Sequence, residues 1–352
     1  MSGNAPSGNT PSGFAPSGSA AGSSARKRVA IACQGGGSHT AFTAGVLQGL
    51  LADIPSDVEI VALSGTSGGA ICATLAWAAI IRNDPGNGIA QLQSFWESMS
   101  AREPWDKLAN QVLNNVVGMR DISLLPEISP YHLPTWGEDR FRESLLKHLD
   151  FDALRRLAKE PGAPALKLGA VEVLSGRFEV FTGHDLCVEC MLASAAIPEL
   201  FRAITVPGRG VYWDGLFSQN PPIRDLLEQH PDEIWVIQIN SFGCPQVPTE
   251  THEILDRRNE LSGNLSLVQE TFFIDAINRA IARGDITNRR YRHIQVENIN
   301  LDRVMNYRTK LDRSPELLND LMQYGQRKWR EFTQRRELRE HGEQRDQSAA
   351  AQ

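Results

Sequence analysis

Gly65-Thr66-Ser67-Gly68-Gly69 is the stretch on which the reading of this chain turns. The apolar run Val58-Glu59-Ile60-Val61-Ala62-Leu63 leads into it, and Ala70-Ile71-Cys72-Ala73-Thr74-Leu75-Ala76-Trp77 follows directly. The order is strand, Gly-x-Ser-x-Gly, helix, the context in which a serine is held on a sharp elbow as a nucleophile. Glycines flank the serine because the turn and the close strand-to-helix packing leave no room for side chains. The serine also opens a helix, where free N–H groups favour negative charge.

Two other segments bear on the elbow. Upstream, Arg28-Val29-Ala30-Ile31-Ala32-Cys33 reads as a buried strand and runs into Gln34-Gly35-Gly36-Gly37-Ser38-His39. An amphipathic helical pattern, Ala41 to Leu51, comes next. Main-chain N–H groups of three consecutive glycines can point at one spot and bind an anion, either a phosphate or an oxyanion formed at an ester carbonyl. Downstream, Val211-Tyr212-Trp213-Asp214-Gly215-Leu216 sets an acid on a turn, ahead of Asn220-Pro221-Pro222. By itself Asp-Gly is a turn dipeptide; set against the serine, Asp214 is a general base.

Glycine loop, Gly-x-Ser-x-Gly and Asp-Gly, in that order, resemble the patatin-like phospholipase family, as does the block Ala193-Ser194-Ala195-Ala196-Ile197-Pro198-Glu199-Leu200-Phe201 before the Asp-Gly. The likeness covers roughly residues 28–240. It implies a three-layer α/β/α fold with a mostly parallel central sheet, to which the helical pattern after residue 250 adds a C-terminal helical extension. It also implies a Ser-Asp dyad with no third histidine: Ser67 as nucleophile, Asp214 as base and orienter, and the Gly35, Gly36 and Gly37 amides as the oxyanion hole, with Gly68 a further donor. The implied reaction is hydrolysis of carboxylic esters of phospholipids or related lipids through an acyl-serine, with neither metal nor organic cofactor. A carboxylate of ordinary pKa near 4 is a weak base for a hydroxyl; the role requires desolvation to raise that pKa and the hole to stabilise the developing charge, and the sequence shows neither.

The chain departs from the family pattern twice. The family's loop usually continues with a basic residue and a glycine, whereas here Ser38-His39-Thr40 follows Gly37, and Leu216 stands where a small residue often follows Asp-Gly. His39, partly charged near neutral pH, is expected to brace the loop, with a triad base as its rival role. Two other readings stay open. One is a non-catalytic lipid-binding or scaffold protein on the same fold, which the altered loop favours. The other is dinucleotide binding, although Gly-x-Gly-x-x-Gly fails at Thr40 and no acid ends the second strand.

A net charge of −6 over 352 residues argues against a nucleic-acid binder and offers no general attraction to anionic membranes. The five cysteines read as free thiols of a reduced, cytoplasmic protein, with Cys187-Val188-Glu189-Cys190 structural for want of a second pair. No signal peptide or transmembrane stretch is evident, and contact with a membrane would be peripheral. The expected layout is a disordered Ser/Gly/Pro/Ala-rich tail over 1–26, a hydrolase domain over 27–300, and a C-terminal helix and polar tail over 301–352. Within the domain, 88–160 is a candidate cap or acyl channel, carried by Trp105, Leu108, Val112, Val116, Val117, Met119, Leu124 and Leu125. Strands are expected over 165–171, 178–181, 233–240 and 293–296. Leu261, Leu265, Val268 and Phe272 recur at helical spacing, and Ser314-Pro315-Glu316 opens a last helix. Its charged end and the seven histidines other than His39 read as solvated. Lipid class, oligomeric state and regulation leave no mark in the sequence.

Overall fold

The computed structural model describes residues 26–103, 106–107, 110, 129–198, 200–244, 246–288, 290–303, 305 and 307–350. The expected N-terminal tail and the apolar residues singled out for a cap or channel, Trp105 to Leu125, lie outside the described residues.

Eight strands form one sheet: β1 (Lys27–Cys33), β2 (Val58–Gly65), β3 (Ala165–Glu172), β4 (Phe178–Thr182), β5 (Ile204–Val206), β6 (Gly210–Asp214), β7 (Glu233–Gln238) and β8 (Gln295–Asn300). The order is β5-β6-β3-β2-β1-β7-β8, with β4 also on β3. The run β3-β2-β1-β7-β8 is parallel, while β4 and β6 meet β3 antiparallel. Nine helices are described: α1 (Ala41–Ala52), α2 (Gly68–Ile81), α3 (Pro85–Met99), α4 (Trp136–His148), α5 (Phe151–Leu157), α6 (Val188–Ser194), α7 (Thr251–Ala282), α8 (Tyr307–Leu311) and α9 (Pro315–Ala350). None is long and apolar enough to cross a membrane.

Strand alternation sorts the core into two layers, since successive side chains point to opposite faces. Val29, Ile31 and Cys33 of β1, with Trp235 and Ile237 of β7, join the large cluster formed with α1, α2, α3 and α9. Ala30 and Ala32, with Ile234 and Val236, face Leu267 and Ile274 of α7 on the other side. The fold is therefore the expected three-layer α/β sandwich around a largely parallel sheet.

β3 serves two neighbours in turn along one edge. Lys167 pairs with both Ser64 of β2 and Thr182 of β4, and Ala170 with both Asp214 of β6 and Glu179 of β4. β4 thus holds one edge, and β6 takes over from β2 on the other. Gly65 pairs with Leu168 and Asp214 with Ala170, so the end of the nucleophile strand and the acid lie two residues apart along β3, about 7 Å.

The C-terminal helix is built into the main core: Leu318, Leu321, Met322, Trp329 and Phe332 are all buried in it. Trp235 meets Trp329 and Phe332 at ring separations of 5.7 and 5.1 Å. α9 crosses α1 in backbone contact, because a Cβ at Gly45 would strike the Met322 carbonyl and one at Gly325 the Phe42 carbonyl. Only glycine permits so close an approach.

Three expectations are corrected. β8 starts at Gln295, not His293, because the Ile294 amide donates to Asn278 Oδ1 rather than to a neighbouring strand. The Leu261, Leu265, Val268 and Phe272 spacing does fall within the helix α7, where that stripe is exposed and packing runs through Asn264, Leu267 and Ile274. His148 is buried, not solvated: Nδ1 bonds the Ser144 carbonyl at 2.7 Å, Nε2 bonds Ser94 Oγ at 3.1 Å, and the ring meets Phe95 edge-on. Arg336, placed by its charged neighbours in a solvated helix end, is buried over the Trp235 ring and paired with Asp57, Glu233 and Glu340.

Candidate active site

Ser67 stands between β2 and α2 with φ 57° and ψ −132°. A non-glycine residue in this region is strained by about 1–3 kcal/mol and persists only where its surroundings hold it. Here the hold comes from the 193–201 block, whose part in the site the sequence alone did not indicate. Ser67 N donates to the Ser194 carbonyl at 3.0 Å and to Ser194 Oγ at 3.1 Å. Ser194 Oγ donates in turn to the Gly169 carbonyl at 2.8 Å. Two residues on, the Ala196 carbonyl accepts from Asp214 N at 2.9 Å. One short segment therefore grips the backbones of both the serine and the acid. Thr66 Oγ1 adds a third tie, to the Gln219 carbonyl at 2.6 Å.

Asp214 ends β6 and is fully buried. Oδ1 accepts from Leu216 N at 2.8 Å, while Oδ2 has no hydrogen bond of ordinary geometry among the described residues. Burial pushes the carboxyl up from 3.8 to about 7, against the opposing pull of the Ser67 hydroxyl and the Leu216 amide. Desolvation outweighs both, because the charged form loses its water and gains little in exchange. The acid therefore lies beside the serine hydroxyl, with one of its oxygens left without a hydrogen bond of ordinary geometry among the described residues.

A cavity of about 140 Å³ joins Ser67 and Asp214 to Gly35, Gly36 and Gly37. The three glycine amides differ. Gly35 N is occupied, donating to Asn220 Oδ1 at 2.7 Å. Those of Gly36 and Gly37 donate to no described residue. Gly37 takes φ +58°, a conformation that favours glycine. Gly68 does not line the cavity; it lies behind the serine against Thr40.

The loop is held by a buried amide network. Gln34 Oε1 accepts from Ile239 N and Asn240 N, and its Nε2 donates to Asn264 Oδ1. Asn220 and Asn240 both reach the Gly35 carbonyl. The family's missing loop residues are replaced from two directions. Thr40 Oγ1 donates to the Gly37 carbonyl at 2.5 Å, closing the loop on itself. His39 bonds Thr309 Oγ1 of α8 through Nε2 at 2.6 Å, and burial with the nearby Lys310 charge lowers its pKa to about 3. His39 is therefore a neutral brace near physiological pH, not the partly charged group expected of it. The cation beside the loop is Lys310, which lines the cavity with Arg258 and donates to Asn240 Oδ1 at 2.6 Å. Sequence reasoning passed over Asn220, Asn240, Arg258 and Lys310 as site residues; only the Asn-Pro-Pro turn had drawn notice.

Cys187 and Cys190 lie away from this cavity. Cys187 Sγ caps α6, accepting from Cys190 N at 3.2 Å.

No curated protein matches the chain. Similar solved structures include VipD from Legionella pneumophila, at 13% identity and TM-score 0.41, with 87% of this chain and 66% of that one covered. The ExoU–SpcU complex from the type III secretion system of Pseudomonas aeruginosa matches at 13% identity and TM-score 0.33, over 88% of this chain and 52% of that one. Residues 31–227, more than half the chain and every glycine, serine and acid of the site, match the model of the patatin-like phospholipases, and the chain belongs to that family.

Proposed function

We propose that the protein is a serine acyl hydrolase that cleaves carboxylic esters of phospholipids or related lipids with a Ser67–Asp214 dyad. The observation that carries this reading is the buried Asp214, raised to about 7 and placed at a serine on a strained elbow. In acylation, Ser67 Oγ attacks the ester carbonyl as its proton passes to the Asp214 carboxylate. Negative charge on the carbonyl oxygen is met by the uncommitted amides of Gly36 and Gly37. The tetrahedral species collapses, the C–O bond breaks, and the alkoxide leaves with the proton from Asp214. Water then attacks the acyl-serine, giving its proton to Asp214, and the acid returns it to Ser67 as the fatty acid departs. A group with pKa about 7 suits both directions of transfer.

Arg258 and Lys310 in the cavity wall favour an ester carrying a phosphate head group. A dinucleotide is disfavoured by the loop itself, where Gly-x-Gly-x-x-Gly fails at Thr40 and Ser64-Gly65 ends the second strand in place of an acid.

The test is a fluorophosphonate probe followed by peptide mass mapping. The adduct is expected on Ser67, absent from Ser67→Ala and slowed at least a hundredfold in Asp214→Asn. Labelling at another residue, or full labelling of Asp214→Asn, would refute the dyad.

A further inference from the structure

A second cavity, of about 790 Å³, lies beside the catalytic one. One wall is a single face of α7: Ser262, Leu265, Ser266, Phe273, Ile277 and Asn278 contribute to it at helical spacing. At 1.5 Å per residue, the stretch from Ser262 to Asn278 makes a trough about 24 Å long. Leu216, Phe217 and Ser262 line both cavities, so the trough begins where the catalytic cavity ends.

Leu216 is one of the two departures from the family pattern that the dyad does not explain. Its amide holds Asp214 Oδ1, while its side chain is wedged toward α7, where a Cβ on Gly263 would lie 3.0 Å from Cδ1. Leu216 and Phe217 thus stand at the junction of the small reaction chamber and a long trough walled by Leu227, Leu265, Phe273 and Ile277.

We propose that the trough holds the acyl chain of the ester and that Leu216 controls the chain's passage into it. The proposal rests on the acyl-hydrolase reading above and adds the place and length limit of the chain. The reaction chamber is too small for a long chain, and the trough is the adjoining apolar volume among the described residues. Each methylene buried there favours binding by about fourfold, so long chains gain over short ones until the trough is full.

Two measurements test this on the full chain. In Ser67→Ala, fluorescent cis-parinaric acid should bind saturably and be displaced by palmitate but not by butyrate. Ile277→Trp, which fills the trough, and Phe273→Glu, a charge at a position that is 65% exposed and so little threat to folding, should each weaken binding tenfold or more. No saturable binding, or binding unchanged in both variants, overturns the proposal. With active enzyme, Ile277→Trp should lower kcat/KM for p-nitrophenyl palmitate at least tenfold and leave p-nitrophenyl butyrate within twofold. Leu216→Ala should raise the palmitate-to-butyrate ratio severalfold. An equal fall on both esters in Ile277→Trp counts against the trough. Hydrolysis that survives in Ser67→Ala counts against the dyad alone, because the binding result needs no turnover.

Discussion

Replacing Asp214 by Asn should abolish turnover and, at alkaline pH, make the protein more stable. The carboxyl is raised from 3.8 to about 7 by burial. Its ionisation is therefore easier in the unfolded chain than in the folded one. Between these two values the folded state binds the extra proton, so stability falls as pH rises. The penalty is absent below about 3.8, grows by about 1.4 kcal/mol per pH unit, and is complete above about 7, where it reaches about 4 kcal/mol. Asn cannot ionise. Its Oδ1 still accepts from the Leu216 amide, and any fixed cost of the new NH₂ is the same at every pH. The stability difference between Asp214→Asn and the parent should thus shift toward the variant by about 3 kcal/mol between pH 5 and pH 8, the span of two units from 5 to 7. Urea unfolding of both proteins at several pH values measures this directly. The same ionisation should govern kcat/KM, which should rise about tenfold per unit below pH 7 and level off above it. A pH-independent stability difference would refute the buried, perturbed acid. A rate plateau extending down to pH 5 would refute its role as the base.

Other outcomes follow from the loop and its supports. His39→Gln should keep activity within about threefold and leave the pH–rate profile unmoved, since a neutral group that only bonds Thr309 is being exchanged for another; loss of the profile's ionisation would make His39 the base. Asn220→Ala strips the Gly35 amide of its buried acceptor and should cost about 1–3 kcal/mol in thermal or urea unfolding. Its kcat should fall on the order of 10–100-fold, short of the loss of an oxyanion donor itself. Arg336→Met leaves the buried Glu233 with Lys27 and the Trp235 indole N–H as its described partners and should destabilise by about 3 kcal/mol, the low end for a broken buried pair. A change under 1 kcal/mol would mean that the ion cluster contributes no net stability.

The elbow, the glycine loop and the acid were legible in the sequence because each is a local backbone solution: a strand end, a tight turn and a helix start written within a few residues. What joins them was not. Ser194 and Ala196 act through a hydroxyl and two carbonyls that any residue pattern can conceal. Asn220 meets Gly35 across 185 positions and Lys310 meets Asn240 across 70, and no spacing rule connects them. Periodicity found α7 but did not say which face it buries. Helical spacing identifies an apolar stripe, whereas the neighbouring sheet, built with Ala30 and Ala32, accepts Leu267 and Ile274 instead. Charge misled at Arg336 for a related reason: acids interleaved along a helix look solvated until the fold sets Asp57 and Glu233 against it.

The bare-backbone crossing of α1 and α9 gives genetics a handle on this protein. It lies behind the sheet from α7 and the trough, with no side chain at Gly45 or Gly325 able to rotate out of the way. A methyl group there must pry two helices apart, a defect of assembly and not of chemistry. Gly325→Ala is thus the natural starting point for a heat-labile allele: a protein that hydrolyses normally when cool and is lost on warming, while Ser67→Ala supplies the matched control that folds and never turns over.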